Sequence, residues 1–555
     1  MQLTIDLPFE ALFILYQLQR HQHEGYLVGG AVRDILINAL NQLNESQGSS
    51  QNSSQVITDF DFTTNALPEQ IQKIFPESYY HNEFGMVGIG YQNLLEQLRA
   101  QGYLLPNTTL QQQLNQTQVK SERIIDLATA TKVHESLQSE AEEAKQDASP
   151  QPNQLTPPPF EITTYRSEGV YHDFRRPSEI QWGQTVKQDL ERRDFTINAM
   201  AISVSADFLS QIFEGEASGN QPLKNNYQIP AKHYKLVDEH HGLKDLAAGL
   251  IKTVGQPNDR FQEDALRMMR AVRFAAQLEM RIDPLTYQAL KDNANLIDKI
   301  SLERIRDEFL KMLTTPEPDR AIEILDKTGL LSHFLPELQQ MKGVEQGGHH
   351  TTDVWTHALD AVKSCPSSDP IVRLATLLHD VGKPQTYQLK DGQITFYNHE
   401  IISSRIASKI GKRLRLSKKQ QDRLFTLVRY HMFYYQPNHT DAAVRRIMKR
   451  VGLENIDDIL DLREGDRLGS GARKTSWRLE ELKQRMIDQL HQPFDVTDLA
   501  IDGHDLMDKL QIKPGPVIGD ILKELTEKVL QEPELNTQQK LLELAKEIVE
   551  KSSNQ

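Results

Sequence analysis

Short apolar runs mark strands at residues 26–28, 59–63, 84–91 and 160–165, and a helix opens over 31–40. From Asp259 onward the pattern changes. Apolar positions recur at helical spacing, β-branched runs are few, and Gly/Pro breaks are short. The expected fold is therefore an α/β head, a mixed sheet with helices, followed by an all-helical remainder. Two polar segments interrupt the head. Residues 38–56 are rich in Asn, Gln and Ser. Residues 92–158 hold Gln-rich stretches, the run Glu140-Ala141-Glu142-Glu143 and the start of Pro157-Pro158-Pro159. Both are expected to be exposed, partly disordered elaborations, with some structure kept around 119–137. No repeat of fixed period appears, and residues 552–555 are expected to fray.

A chain of 555 residues is too long for one core, and three or four domains are expected. The single cysteine, Cys365, excludes an internal disulfide framework and suits a reducing compartment. No signal-peptide pattern opens the chain and no apolar run is long enough to span a bilayer, so the expected setting is the cytoplasm, away from membranes. A net charge of −14 argues against nonspecific coating of nucleic acid, but local basic rows can still bind RNA.

The candidate chemistry begins with Leu27-Val28-Gly29-Gly30-Ala31-Val32-Arg33-Asp34, followed by Asp59-Phe60-Asp61-Phe62. Gly29 and Gly30 supply bare backbone amides, and Gly30 and Arg33 would hold a triphosphate. Two carboxylates two residues apart on a strand point to one face, where Asp59 and Asp61 would hold Mg²⁺ against phosphates. Alone, these are also what a tight turn and a solvated strand end look like.

Three further runs follow. They are Tyr171-His172-Asp173-Phe174-Arg175-Arg176-Pro177, then Asp189 to Ala201 (Asp-Leu-Glu-Arg-Arg-Asp-Phe-Thr-Ile-Asn-Ala-Met-Ala), then Arg260 to Phe274 (Arg-Phe-Gln-Glu-Asp-Ala-Leu-Arg-Met-Met-Arg-Ala-Val-Arg-Phe). In this order the four runs resemble the class II tRNA nucleotidyltransferase and bacterial poly(A) polymerase family, most of all its CCA-adding members. On a helix, Asp264 and Arg267 would share a face. A carboxylate only accepts and a guanidinium only donates. Cytosine and adenine offer an amino donor beside a ring acceptor, whereas uracil and guanine offer the reverse. One Asp–Arg pair can thus admit CTP and ATP, since a mispaired buried edge costs about 1–3 kcal/mol per lost bond. The resemblance assigns base selection to these same two positions. It implies that Arg193, Arg270 and Arg273 add cationic donors toward phosphates or substrate. It also implies that Asp194 and Asn198 brace the junction of head and neck.

A second constellation comprises His357, then His379-Asp380-Val381-Gly382-Lys383, His399, His431 and Asp466. Its His…His-Asp…Asp order resembles the HD phosphohydrolase superfamily. His357, His379, Asp380 and Asp466 would converge on one divalent ion, Mg²⁺, Mn²⁺ or Ni²⁺. Lys383, His399 and His431 would complete a second metal site or bind phosphate. In CCA-adding enzymes with this domain, the resemblance implies phosphatase, 2′-nucleotidase and 2′,3′-cyclic phosphodiesterase activities.

The resulting expectation has four domains: a nucleotidyltransferase head at 1–202, a neck and nucleotide-selecting helical domain at 203–345, an HD domain at 346–472 and a tRNA-gripping tail at 473–555. Two basic clusters are candidate phosphate contacts: Lys412, Arg413 and Arg415 near Lys418-Lys419, and Arg445-Arg446 with Lys449-Arg450. The resemblance implies an enzyme that adds and repairs the CCA end of tRNA from CTP and ATP, releasing pyrophosphate. The alternatives are a CC-adding, A-adding or poly(A)-adding relative, an HD phosphohydrolase whose head only binds RNA, and a noncatalytic RNA scaffold. Oligomeric state is left open.

Overall fold

Alternation in the first half of the chain produces a seven-stranded mixed sheet. Its strands are β1 (Gly25–Val28), β2 (Asp61–Thr64), β3 (Tyr79–His81), β4 (Met86–Ile89), β5 (Phe160–Thr164), β6 (Ala201–Val204) and β7 (Tyr234–Val237). They lie in the order β7-β6-β1-β2-β5-β4-β3. β2 and β5 run parallel, and the other neighbours are antiparallel. The register places Ile202, Leu27, Phe62, Ile162 and Val87 in one row, and all are buried. The next row runs Ala201, Val28, Asp61, Glu161 and Gly88 on the opposite face. A one-residue slip would exchange the apolar row for the acidic one, so burial fixes where the acids stand.

This computed structural model describes residues 3–45, 57, 59–81, 85–106, 158–167, 171–172, 176–177, 181–215, 222–347, 352–433, 435–490 and 492–553. They form two units, one ending at Phe334 and one beginning at Leu335. In the first unit, α1 (Phe9–Arg20) is buried from Phe9 to Leu18. α2 (Gly30–Glu45) runs beyond the expected helix and takes in the start of the expected loop at 38–56, because no breaker stands before Gly48 and Leu36 and Ala39 are buried. The expected insertion at 92–158 likewise begins as α3 (Tyr91–Ala100), whose Tyr91, Leu94, Leu95 and Leu98 are buried. The remainder of both segments (46–56 and 107–157) lies outside the described residues, as do Asp173, Phe174 and Arg175.

Helix dominates after Pro257, in α4 (Pro257–Glu263), α5 (Leu266–Gln277) and α6 (Leu302–Leu313). The expected single helix through Asp264 and Arg267 is broken. Asp264 is extended (φ −143°, ψ 105°), and its carboxylate accepts from Leu266 N at 3.0 Å. An aspartate that bonds the backbone two residues ahead competes with the helix and restarts it.

The second unit contains α7 (Val354–Ser364), α8 (Pro370–Leu378), α9 (His399–Arg413), α10 (Lys418–Tyr430), α11 (Ile456–Gly469) and α12 (Trp477–Gln489). α7 and α11 approach closely because α11 lacks side chains at the contact. A Cβ on Gly465 would lie 2.7 Å from Ala361 O, and one on Gly469 2.6 Å from Ala361 N. The tail helices α13 (Gly503–Leu510), α14 (Pro516–Gln531) and α15 (Gln538–Ser553) share a core that includes Leu506, Ile521, Leu525, Val529, Leu541 and Ala545. Arg445, expected as a phosphate contact, is instead 4% exposed and donates to Leu530 O, Gln531 O and Gln489 Oε1, which closes the end of α14. Lys412, Arg415, Lys418 and Lys419 of the other basic cluster are exposed. No helix among the described residues is long and apolar enough to cross a membrane.

Candidate active sites

In the first unit, β1 runs into Gly29, whose φ of +72° turns the chain into α2 with Gly30 as its first residue. A Cβ on Gly29 would lie 3.0 Å from Arg193 Nη1 and 3.5 Å from Asp61 Oδ2, so the turn, the guanidinium and the acid form one cluster. Asp59 is exposed and stands just before β2, while Asp61 is the strand's first residue. Glu161 stands beside Asp61 on the parallel neighbour. These groups edge a cleft of about 310 Å³ lined by Asp61, Glu161, Thr163, Arg166, Arg192 and Arg193. Burial, with Asp59 and Glu161 nearby, pushes the Asp61 carboxyl up to about 6 despite Arg193. A bound cation would relieve that repulsion, and its hard oxygen donors suit Mg²⁺. Arg193 gives Nη2 to Asp189 at 3.0 Å, while its buried Nε has no hydrogen-bond partner among the described residues.

The remaining arginines are held by the protein itself. Arg33 is 5% exposed, gives Nε and Nη2 to Asp34 and Nη1 to Asn198, and lies 5.3 Å from the Phe274 ring centroid. Arg270 and Arg273 lie 5.2 and 4.3 Å from the same ring. Arg270 pairs with Asp194 at 2.7 Å and Arg273 with Glu308 at 2.7 Å. Burial alone would raise the Asp194 carboxyl, but Arg270 holds it below the usual range. Asp194 and Asn198 thus tie the segment before β6 to α5 and α2. Asp264 and Arg267 do not pair with each other. Asp264 receives Arg304 Nη2 at 2.8 Å, and Arg267 bonds Glu263 at 2.5 Å and Arg192 O at 3.2 Å.

In the second unit, five helices aim ligand-type side chains at one point. His357 comes from α7, while His379 and Asp380 follow α8. His399 opens α9, His431 ends α10, and Asp466 lies on α11. His357 Nε2 lies 3.2 Å from His379 Nε2, 3.6 Å from Asp380 Oδ2 and 3.2 Å from Asp466 Oδ1. On the other side of the same carboxylate, Asp380 Oδ1 lies 3.2 Å from His399 Nε2 and 3.9 Å from His431 Nε2. Asp380 therefore joins two three-residue groups, each with ligand atoms within 4.8 Å of one another. His379, His399 and His431 each turn Nδ1 to a carbonyl, of Thr376, Phe396 and Val428, at 2.7–2.9 Å. That fixes the proton on Nδ1 and leaves Nε2 lone pairs facing the centre, the arrangement metal ligands require. Lys383 cannot ligate, since an ammonium has no lone pair. It sits 2.6 Å from Asp380 Oδ2 as a counter-charge.

The family-level comparisons agree with this layout. The poly A polymerase head domain matches residues 25–122 and 112–222, a probable RNA and SrmB-binding site of polymerase A matches 279–342, and a putative tRNA nucleotidyltransferase domain 2 matches 399–545. An A-adding tRNA nucleotidyltransferase of Deinococcus radiodurans is 31% identical over 373 residues, 64% of this chain and 77% of that protein. A CCA-adding enzyme of Limosilactobacillus reuteri is 31% identical over 389 residues, 70% and 79% of the two chains. The chain belongs to the class II tRNA nucleotidyltransferase family. A CCA-adding enzyme of Lactobacillus johnsonii, 27% identical, extends the similarity over 94% of this chain and 92% of its own. In fold, this tRNA nucleotidyltransferase matches the solved Bacillus stearothermophilus CCA-adding enzyme in complex with CTP, with a TM-score of 0.60, 22% identity and 99% of both chains covered.

Enzymes of this family generally use a divalent metal. Two sets of donors in this nucleotidyltransferase fit one, and they differ in chemistry. The first unit offers carboxylates alone, whereas the second mixes imidazole with carboxylate. In the second set, burial and the neighbouring His379 push the His431 imidazole down to about 3, so it is neutral at pH 7. Burial opposes ionisation of Asp380, yet His379 and Lys383 hold it well below the usual carboxylate range. Against burial, Asp380 and Asp466 raise His379.

Sequence reasoning missed Glu161 and Arg304. Glu161 lies in Phe160-Glu161-Ile162-Thr163-Thr164, an ordinary alternating strand. Only parallel pairing with β2 gives it a role, and nothing local announces that pairing. Arg304 is one arginine among several on an amphipathic helix, and its partner Asp264 is remote in sequence.

Proposed function

We propose that this nucleotidyltransferase adds and repairs the 3′-terminal CCA of tRNA, taking CTP and ATP and releasing pyrophosphate. The observation that carries the reading is the acidic row of Asp61 and Glu161, preceded by Asp59, beside the Gly29 turn and Arg193. In the reaction, the 3′-oxygen of tRNA bonds to the α-phosphorus and the α–β bridging bond breaks. Pyrophosphate departs and the hydroxyl proton is released. Asp59, Asp61 and Glu161 would hold Mg²⁺, which when bound acidifies the attacking hydroxyl and offsets phosphate charge. Backbone at Gly29 and Gly30, with Arg193, faces the triphosphate. Asp264, oriented by Arg304, accepts the amino group of cytosine or adenine, and Arg267, anchored by Glu263, donates to the ring acceptor. Arg33, Arg270 and Arg273 act as braces around Phe274 that hold α5 against the head.

The second unit reads as an HD-type phosphohydrolase, supported by the two groups that share Asp380. His357, His379, Asp380 and Asp466 would hold one ion, and Asp380, His399 and His431 a second, each Mg²⁺, Mn²⁺ or Ni²⁺. Such ions acidify water and offset phosphate charge when bound. Hydrolysis of a 2′,3′-cyclic end joins a water oxygen to phosphorus, breaks one ribose P–O bond and returns a proton to the ribose oxygen. Lys383, Arg463 and Arg467 line the roughly 550 Å³ cavity with positive charge for the phosphate. Residues 1–202 then form the head, 203–345 the neck, 346–472 the hydrolase and 473–555 the tRNA-gripping tail.

A second reading is A addition alone, favoured by the name of the Deinococcus relative. tRNAs ending before CCA, after C and after CC, offered with CTP, ATP or both, separate the two. Ordered addition of C, C and A is expected. Incorporation of A only onto the CC-ended tRNA makes this an A-adding enzyme, and unlimited A addition a poly(A) polymerase.

A further inference from the structure

The cavity over Asp380 shares two lining residues with a second cleft. This neighbour, of about 380 Å³, is lined by Phe433, Tyr435, Arg463, Arg467, Trp477 and Arg478. Arg463 and Arg467 line both spaces, so a ligand reaching from one cleft to the other would meet the same two guanidinium groups. Trp477 is one of three tryptophans in the chain, yet 64% of it is exposed. It opens α12, whose first turn is fixed by Ser476 Oγ accepting from Leu479 N, so the indole is held on a rigid element. Arg478 lies 5.3 Å from the Trp477 ring centroid and Arg463 6.0 Å from that of Phe433. Arg463 also holds Asp466 at 2.5 Å, which ties the wall of this cleft to a ligand-type residue of the metal centre.

An exposed indole beside a half-buried phenyl ring, interleaved with guanidinium groups, makes a poor core and a good stacking platform. A nucleobase offers a flat π-face to the rings, and its phosphate offers negative charge to the arginines. An aliphatic or polyanionic ligand would use only half of this lining. We propose that the Phe433–Trp477 cleft is the base subsite of the hydrolase centre. It stacks the terminal nucleoside whose 2′ or 3′ phosphoester lies over Asp380. The proposal rests on the hydrolase reading of the second unit and adds to it the surface that holds the nucleobase of the substrate.

The test uses the full-length protein with Mn²⁺, Mg²⁺ or Ni²⁺, adenosine 2′,3′-cyclic phosphate, and the base-free 1-O-methylribose 2′,3′-cyclic phosphate. The unsubstituted enzyme is expected to prefer the adenosine ester, mainly through KM. Trp477→Ala is expected to cut that preference, as a ratio of kcat/KM values, by about tenfold, and Trp477→Phe to retain most of it. A ratio unchanged by Trp477→Ala overturns the subsite. An oligoribonucleotide with the same cyclic end separates RNA from free nucleotide as the ligand. A lower KM than the mononucleotide's, again raised by Trp477→Ala, assigns RNA, and an equal KM assigns the free nucleotide. If the unsubstituted protein hydrolyses neither ester with any of the metals, the hydrolase reading fails, and metal-free titration with 2′-AMP then decides the subsite. Tryptophan quenching by 2′-AMP that Trp477→Phe removes sustains it, and no such quenching overturns it.

Discussion

Glu10 points into the interior of the first unit, 1% exposed, with one oxygen accepting from Tyr91 at 3.0 Å and the other without a hydrogen-bond partner among the described residues. Burial pushes its carboxyl from 4.5 up to about 7. Because the folded value is the higher, the stabilisation is complete below about pH 4.5 and is lost as pH rises through about 7. Glu10→Gln is therefore expected to raise the melting temperature at pH 8, by an amount corresponding to on the order of 3 kcal/mol, and to change it little at pH 4.5. Thermal denaturation across this range checks the prediction, and a shift equal at both pH values would refute it. Such a residue gives no warning in the sequence, where Phe9-Glu10-Ala11-Leu12 reads as a helix with its acid in the first turn. The grouping of His357, His379, Asp380 and Asp466 was legible because ligand-type residues in that order stand out wherever the helices fall. Asp264 was only half legible: its identity was read, but not its power to break the helix through its own backbone hydrogen bond.

Helix contacts decide how finely the imidazole and carboxylate groups of the second unit are placed. Gly465 and Gly469 stand four apart on α11, the spacing that puts both on one face, and they let α7 come within backbone contact. Asp466 rides on that face's edge and reaches His357 at 3.2 Å. Gly465→Ala would set a methyl 2.7 Å from Ala361 O, so the helices must part. The expected result is about 1–3 kcal/mol of destabilisation and weaker metal binding at the His357 group. Calorimetric unfolding and titration with Mn²⁺ measure both, and unchanged values for the two would refute this account of the contact. The same scale explains two errors of extent. α2 and α3 run into stretches whose Asn and Gln content reads as loop, yet Ala39 in one and Leu94, Leu95 and Leu98 in the other are buried. Polar composition is an average, and three or four buried leucines are enough to dock a helix.

Across the whole molecule, the carboxylate cluster and the imidazole–carboxylate cluster belong to different units and share no residue. Asp61→Ala is expected to abolish nucleotidyl transfer while hydrolysis of a 2′,3′-cyclic ester continues, and Asp380→Ala is expected to do the reverse. Both activities of each variant are to be measured, and either substitution stopping both would refute the separation. The change from alternating to helical periodicity was enough to read an α/β head and a helical remainder. The strand order was not readable, because β2 and β5 pair across a stretch whose described residues hold two other strands and two helices. That pairing has a consequence for synthesis. A chain leaves the ribosome from its N-terminus, so β1 and β2 are free to pair long before β5 exists, and contacts this distant in sequence form late. A nascent chain halted before Phe160 carries the glycine turn and both aspartates but lacks Glu161. The acidic row is therefore completed only with the emergence of β5, and Arg193, Asp264 and Arg267 leave the ribosome later still.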